Sequence, residues 1–107
     1  MTVAQISALR VAPASDRRRV HLQIEVTDIS DPPPYLELVI LDPERQPVAQ
    51  MLVMGTADTP IEVTLHLRPA PPAGETRPYS ALGRLFVGQE GAEEETLAQS
   101  EVSFALP

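Results

Sequence analysis

The sequence predicts an all-β fold in which seven short antiparallel strands pack as a two-sheet sandwich. Three observations carry that expectation. Apolar residues recur with a period of two in several segments, the signature of strands with one buried face. The chain holds 12 prolines and 5 glycines in 107 residues, clustered between those segments, which leaves little room for long helices. Turn signals return roughly every 8 to 15 residues, a spacing that suits a sandwich.

The elements follow in chain order. Over Val3 to Val11 the apolar residues Ala4, Ile6 and Ala8 alternate and then jump phase to Leu9 and Val11, which predicts a bulge or a strand that changes sheet. Arg19 to Asp28 is the clearest strand, with Val20, Leu22, Ile24 and Val26 set against His21, Gln23, Glu25 and Thr27. Tyr35 to Leu41 is almost continuously apolar, and the turn Asp42 to Pro47 joins it to Val48 to Met54, so the two read as a hairpin. Val48 to Gly55 also fits a short helix with Pro47 at its first position and Gly55 past its end; the strand is preferred because seven residues make a marginal helix. Ile61 to Arg68 repeats the alternation with Ile61, Val63, Leu65 and Leu67. Tyr79 to Val87 and Thr96 to Leu106 complete the set, although Ala92 to Ser100 also has helix propensity.

Composition excludes several chemistries. The formal net charge is -7, all 8 basic residues are arginines, and the chain has no lysine, asparagine, tryptophan or cysteine. A disulfide scaffold, a cysteine zinc site, a cysteine nucleophile and a lysine Schiff base are therefore ruled out. Acidity combined with only 2 tyrosines and 2 phenylalanines argues against nucleic acid as a partner. No apolar run is longer than that of Leu38 to Leu41, far below the ~20 residues needed to cross a bilayer, and no basic-then-apolar leader follows Met1. The expectation is a single cytoplasmic domain over residues 1–107 that binds neither nucleic acid nor membrane. No nucleophile elbow, phosphate loop or metalloprotease motif occurs, so no enzyme activity and no bound cofactor are expected.

Leu67-Arg68-Pro69 followed by Tyr79 resembles the tyrosine corner of immunoglobulin-like and fibronectin type III-like domains. The likeness to these families spans the chain at the level of strand pattern. It implies a seven-stranded immunoglobulin-like sandwich in which Leu67, Pro69 and Tyr79 form the corner, with the Tyr79 hydroxyl bonded back to nearby backbone. Two departures stand out: Ala70 to Pro78 lengthens the corner, and Leu22 occupies the place of the usual strand-B tryptophan.

Candidate sites are few. His21 and His66 fall on the outward phase of strands expected to be neighbours, where a facing pair could hold a transition metal or simply sit in water. Pro32-Pro33-Pro34-Tyr35 matches a short WW-domain ligand, but it reads first as a stiff start to the following strand. Arg17-Arg18-Arg19 reads as a solvated turn. The sandwich topology would gather the loops at 28–34, 55–60 and 88–95 at one strongly acidic end, where Asp28, Asp31 and Glu90 are the candidate ligands for Ca²⁺. The other end would mix Arg17, Arg18, Arg45 and Arg77 with Asp16, Asp42, Glu44 and Glu75.

The outward face of the second sheet is the strongest candidate. If Tyr79, Leu85 and Val87 point inward, then Leu82, Arg84 and Phe86 point outward beside Glu37, Val39 and Leu41. The hairpin adds Met51 and Val53 if Val48, Leu52 and Met54 form its inward set. Val39, Leu41, Met51, Leu82, Arg84 and Phe86 would then make an apolar patch larger than a soluble monomer exposes. Either the phase assigned to the strand at 35–41 or to its neighbour is wrong, or a loop such as Ala70 to Pro78 covers the patch, or it serves a protein partner or a homodimer. The function expected is a non-catalytic interaction or self-association module, with Ca²⁺ or small-ligand binding at the acidic end as the alternative.

Overall fold

The computed structural model describes residues 4–29, 33–54, 60–88 and 95–107. Seven strands follow one another: β1 (Gln5–Pro13), β2 (Arg19–Thr27), β3 (Tyr35–Leu41), β4 (Pro47–Val53), β5 (Ile61–His66), β6 (Tyr79–Val87) and β7 (Glu95–Phe104). They form a three-stranded sheet in the order β1-β2-β5 and a four-stranded sheet in the order β4-β3-β6-β7, and every pairing is antiparallel. No helix occurs among the described residues. Residues 47–53 and 95–104 are strands, so helix propensity loses there to pairing with β3 and β6.

The alternating residues do what their period requires. Val20, Leu22 and Ile24 of β2 face Leu36, Leu38 and Ile40 of β3 across the sandwich, and all six are fully buried. Burying each such side chain is worth about 1.5–3 kcal/mol, which makes these two central strands the energetic axis of the fold. The phase jump in β1 is a bulge at Ser7, between the pairs Ile6–Val26 and Ala8–Glu25. It keeps Ile6, Leu9 and Val11 on the core side, although they are not spaced by twos. Inward-facing Gly83 of β6 leaves room here: a Cβ would stand 3.4 Å from Ile6 Cδ1 and 3.6 Å from Leu38 Cδ2.

The turns show why the polar clusters sit where they do. Between β1 and β2, the Asp16 carboxylate accepts from the amides of Arg18 and Arg19 and from Arg19 Nε at 2.8 Å, while Arg17 takes a left-handed φ of 64°. These bonds, the Arg18 amide foremost, hold the Asp16 carboxyl below its ordinary range. Between β3 and β4, the Asp42 carboxylate caps the amides of Glu44 and Gln46, and Arg45 supplies the left-handed residue at φ 66°.

A second bulge, between Ile40 and Leu41 and opposite Pro47 to Ala49, reverses the expected phase of β4. Ala49, Met51 and Val53 lie on the core side, partly buried, while Gln50 and Leu52 turn outward. Met51 is therefore not part of the outward face. Leu67 and Tyr79 are buried as a corner would have them, but Pro69 is exposed and the Tyr79 hydroxyl makes no hydrogen bond among the described residues. The lengthened segment between them lines a cavity together with Tyr79.

Candidate functional site

Three surfaces hold the residues singled out by sequence. The first is the outer face of the four-stranded sheet. Register places Tyr35 beside Phe86, Glu37 beside Arg84, Val39 beside Leu82 and Leu41 beside Ser80. Arg84 donates to Glu37 at 3.2 Å and to Thr96 Oγ1, and its guanidinium lies 4.4 Å above the Phe86 ring. Tyr35 packs on the same ring with centroids 5.5 Å apart. Phe86 points outward as expected and yet is buried, because its neighbours on the face fold over it. It is not available to a partner as an exposed ring.

The face is divided by chemistry. Towards β7 it is polar: Gln99, Ser103 and Glu101 line the edge, and Arg45 reaches across from its turn to Glu101 at 3.1 Å and towards Ser80. Glu101 raises the Arg45 pKa further above its ordinary value. Towards β4 the face is apolar, with Val39, Leu41 and Leu82 half-buried and Leu52 53% exposed. Met54, just past β4, is 71% exposed. Among the described residues these two are the large apolar side chains left in water. The alternation rule assigned Leu52 to the core; the signal that it turns outward is Pro47, which cannot donate to a ladder and so marks a bulge at the strand's start.

The second surface is the end that carries the β1–β2, β3–β4 and β5–β6 connections. The segment after Pro69 packs here, against the β3–β4 turn, and among the described residues its hydrogen bonds and ion pairs stay at this end. A cavity of about 320 Å³ is lined by Asp42, Val48, Pro72, Glu75, Arg77 and Tyr79, among others. Arg77 bridges Glu44 at 2.8 Å and Glu75 at 3.0 Å, while Arg17 donates to the Glu75 carbonyl. The Arg77 contacts pull the Glu75 carboxyl down to about 2, and burial, with Glu75, Asp42 and Glu44 nearby, raises Tyr79 above its ordinary value. As expected, this end is mixed in charge: Arg77 is paired with Glu44 and Glu75, while Asp42 and Arg17 are engaged with backbone amides and carbonyls.

The third surface is the outer face of the three-stranded sheet. His21 lies opposite Thr64, bonding its Oγ1 at 3.3 Å and Glu62 at 3.2 Å, whereas His66 lies opposite Arg19. The histidines are thus diagonal and not a facing pair, and no group of three metal-ligating residues occurs among the described residues. Of the proposed Ca²⁺ ligands, Asp28 sits in a bend at φ 58°, while Asp31 and Glu90 lie outside the described residues. Pro32 of the Pro-Pro-Pro-Tyr stretch also lies outside them; Tyr35 begins β3.

No protein-family model matches the chain, and no curated protein matches it in sequence. Solved structures do share its fold. Two are glycosyl hydrolase family 2 members from Bacteroides cellulosilyticus, at TM-scores of 0.69 and 0.62 and 18% and 17% identity, each aligned over 96% of this chain. A third is a Bifidobacterium dentium beta-glucuronidase complexed with coumarin-3-O-glucuronide, at a TM-score of 0.59 and 18% identity over 98% of this chain. The chain spans only 14%, 15% and 18% of those three proteins. At such identity the likeness is one of fold.

Proposed function

We propose that this chain is a non-catalytic β-sandwich module of immunoglobulin-like type that works by protein contact, through the β3–β4 half of its outer sheet face. One observation carries the reading: Leu52 and Met54 are exposed beside half-buried Val39, Leu41 and Leu82, on a sheet otherwise finished with ion pairs. The fold likeness supports it, because the matched stretch is a small part of each larger hydrolase chain. The polar groups support it as well. The carboxylates of the end pocket are engaged with arginines or backbone amides, and the contacts of His21 with the Thr64 hydroxyl and Glu62 lie on an exposed sheet face away from that pocket, where nothing would hold a substrate out of water.

The test uses the wild-type chain and a Leu52→Lys/Met54→Lys variant as baits in an extract of the native host. Thermal melts of both establish that they fold. The expected result is a protein, the chain's own native copy included, that is retained by wild type and lost from the variant. Equal retention by both baits, or none by either, would overturn the reading.

A further inference from the structure

We infer that β4 pairs antiparallel with β4 of a second copy of this chain, about a two-fold axis through Met51, so that two four-stranded sheets join edge to edge. This names a partner for the β4 margin of the surface proposed above and rests on that reading. Each sheet ends in two edge strands, β1 and β5 in one and β4 and β7 in the other. An open edge offers unpaired backbone groups to any other strand, and proteins blunt such edges with charge, bulges or brevity. β1 carries a bulge at Ser7 and the charge of Arg10. β5 is six residues long and carries Glu62. β7 has a register shift near its start and carries Glu95 and Glu101. β4, Pro-Val-Ala-Gln-Met-Leu-Val, has no charge at all, and its proline and bulge are confined to its first two residues, which leaves the run from Ala49 to Val53 regular.

The open part of β4 can be delimited. At one end, the Val48 carbonyl is already taken by the Arg68 amide at 2.8 Å. From Ala49 to Val53 the register with β3 is unbroken, and among the described residues no backbone hydrogen bond reaches these five from any other strand. Their centre is Met51. A two-fold axis at that residue sets Ala49 against Val53 of the second copy and Gln50 against Leu52 of the second copy. Because pairing about a residue preserves alternation, core-side chains meet core-side chains, and the outward Gln50 and Leu52 meet each other.

Charge selects the same edge. A chain of net charge -7 repels its own copy, so self-contact is favoured where no carboxylate must face another. Among the described residues the carboxylate cross-strand from Leu52 on the outer face is Glu37, and Arg84 holds it at 3.2 Å. Closed symmetry about a two-fold is also the commonest way a single chain satisfies one edge without propagating into a filament. A five-residue ladder with two flanking apolar side chains lies at the small end of interface sizes, so the dimer is a weak one, populated at on the order of 100 μM.

Sedimentation velocity over two decades of concentration around that value tests the idea. Wild type should pass from monomer to dimer. Gln50→Glu/Leu52→Glu places like charges opposite each other at both symmetric pairs and should remain a monomer throughout. Gln50→Lys/Leu52→Glu, in contrast, places opposite charges at those pairs and should dimerise at least as well as wild type. Both positions face solvent, and circular dichroism and a cooperative melt confirm that each variant is folded. Amide exchange in residues 49–53 should slow as wild-type concentration rises. A wild type that stays monomeric, or a dimer indifferent to the charge pattern, would overturn self-pairing. If wild type is monomeric and yet the Leu52→Lys/Met54→Lys bait loses a captured protein of another kind, self-pairing falls while the module reading stands.

Discussion

Phe86 provides the sharpest test of the packing described above. By alternation it belongs to the outer face, where replacement should cost little; in the structure it is 7% exposed beneath Tyr35 and Arg84. Replacing it with alanine gives up roughly 120 Å² of buried ring, which at 25 cal/mol per Å² amounts to ~3 kcal/mol. Loss of the tilted contact with Tyr35 adds about 0.5 kcal/mol, and collapse of the Arg84 side chain into the gap offsets a similar amount. The expected destabilisation is therefore about 3 kcal/mol. With a urea m-value of about 1.5 kcal/mol per molar, the unfolding midpoint should fall by about 2 M. Leu82→Ala, on the same face but half-buried, should cost about 1 kcal/mol and serves as the internal comparison. Phe86→Glu should abolish folding, because its carboxylate would sit beneath the ring of Tyr35. A Phe86→Ala midpoint within the error of wild type would refute the covering of Phe86 by its neighbours.

Two further predictions concern the end pocket. Tyr79→Phe should change stability by less than about 0.5 kcal/mol, because among the described residues the hydroxyl has no hydrogen-bond partner to lose; a loss above about 1 kcal/mol would restore the tyrosine corner. The Glu75 carboxyl should titrate near 2 by nuclear magnetic resonance and move back towards its ordinary 4.5 in Arg77→Gln. Because its folded value is depressed, the Glu75 contribution to stability is fully present above 4.5 and is lost as pH falls from there towards 2. A wild-type titration already at the ordinary value would refute the bridge.

Much of this was legible in the chain because alternation is a local property. Val20, Leu22 and Ile24, or Leu36, Leu38 and Ile40, declare a buried side wherever the strand ends up, and Asp42-Pro43-Glu44-Arg45 declares a turn by its own carboxylate and backbone. The phase jump in β1 announced its bulge for the same reason. The candidate surface was only half legible. Val39, Leu41 and Leu82 lie on the outward face as expected, but Met51 and Leu52 exchange sides.

That exchange marks the boundary between what sequence and tertiary structure each decided. Sequence by itself determined an all-β chain, its seven strands, the two-faced character of β2 and β3, and the chemistries that missing cysteine and lysine exclude. Only the tertiary structure decided which side of β4 is wet, since one extra residue in a bulge inverts every side chain after it, and the bulge exists only in the pairing with β3. Only the tertiary structure buried Phe86, through Tyr35 and Arg84, partners brought together by cross-strand register and not by a turn. And only the sheet order left β4 at an edge: the same uncharged seven residues in a central strand would have both sets of backbone groups satisfied and nothing to offer a second chain.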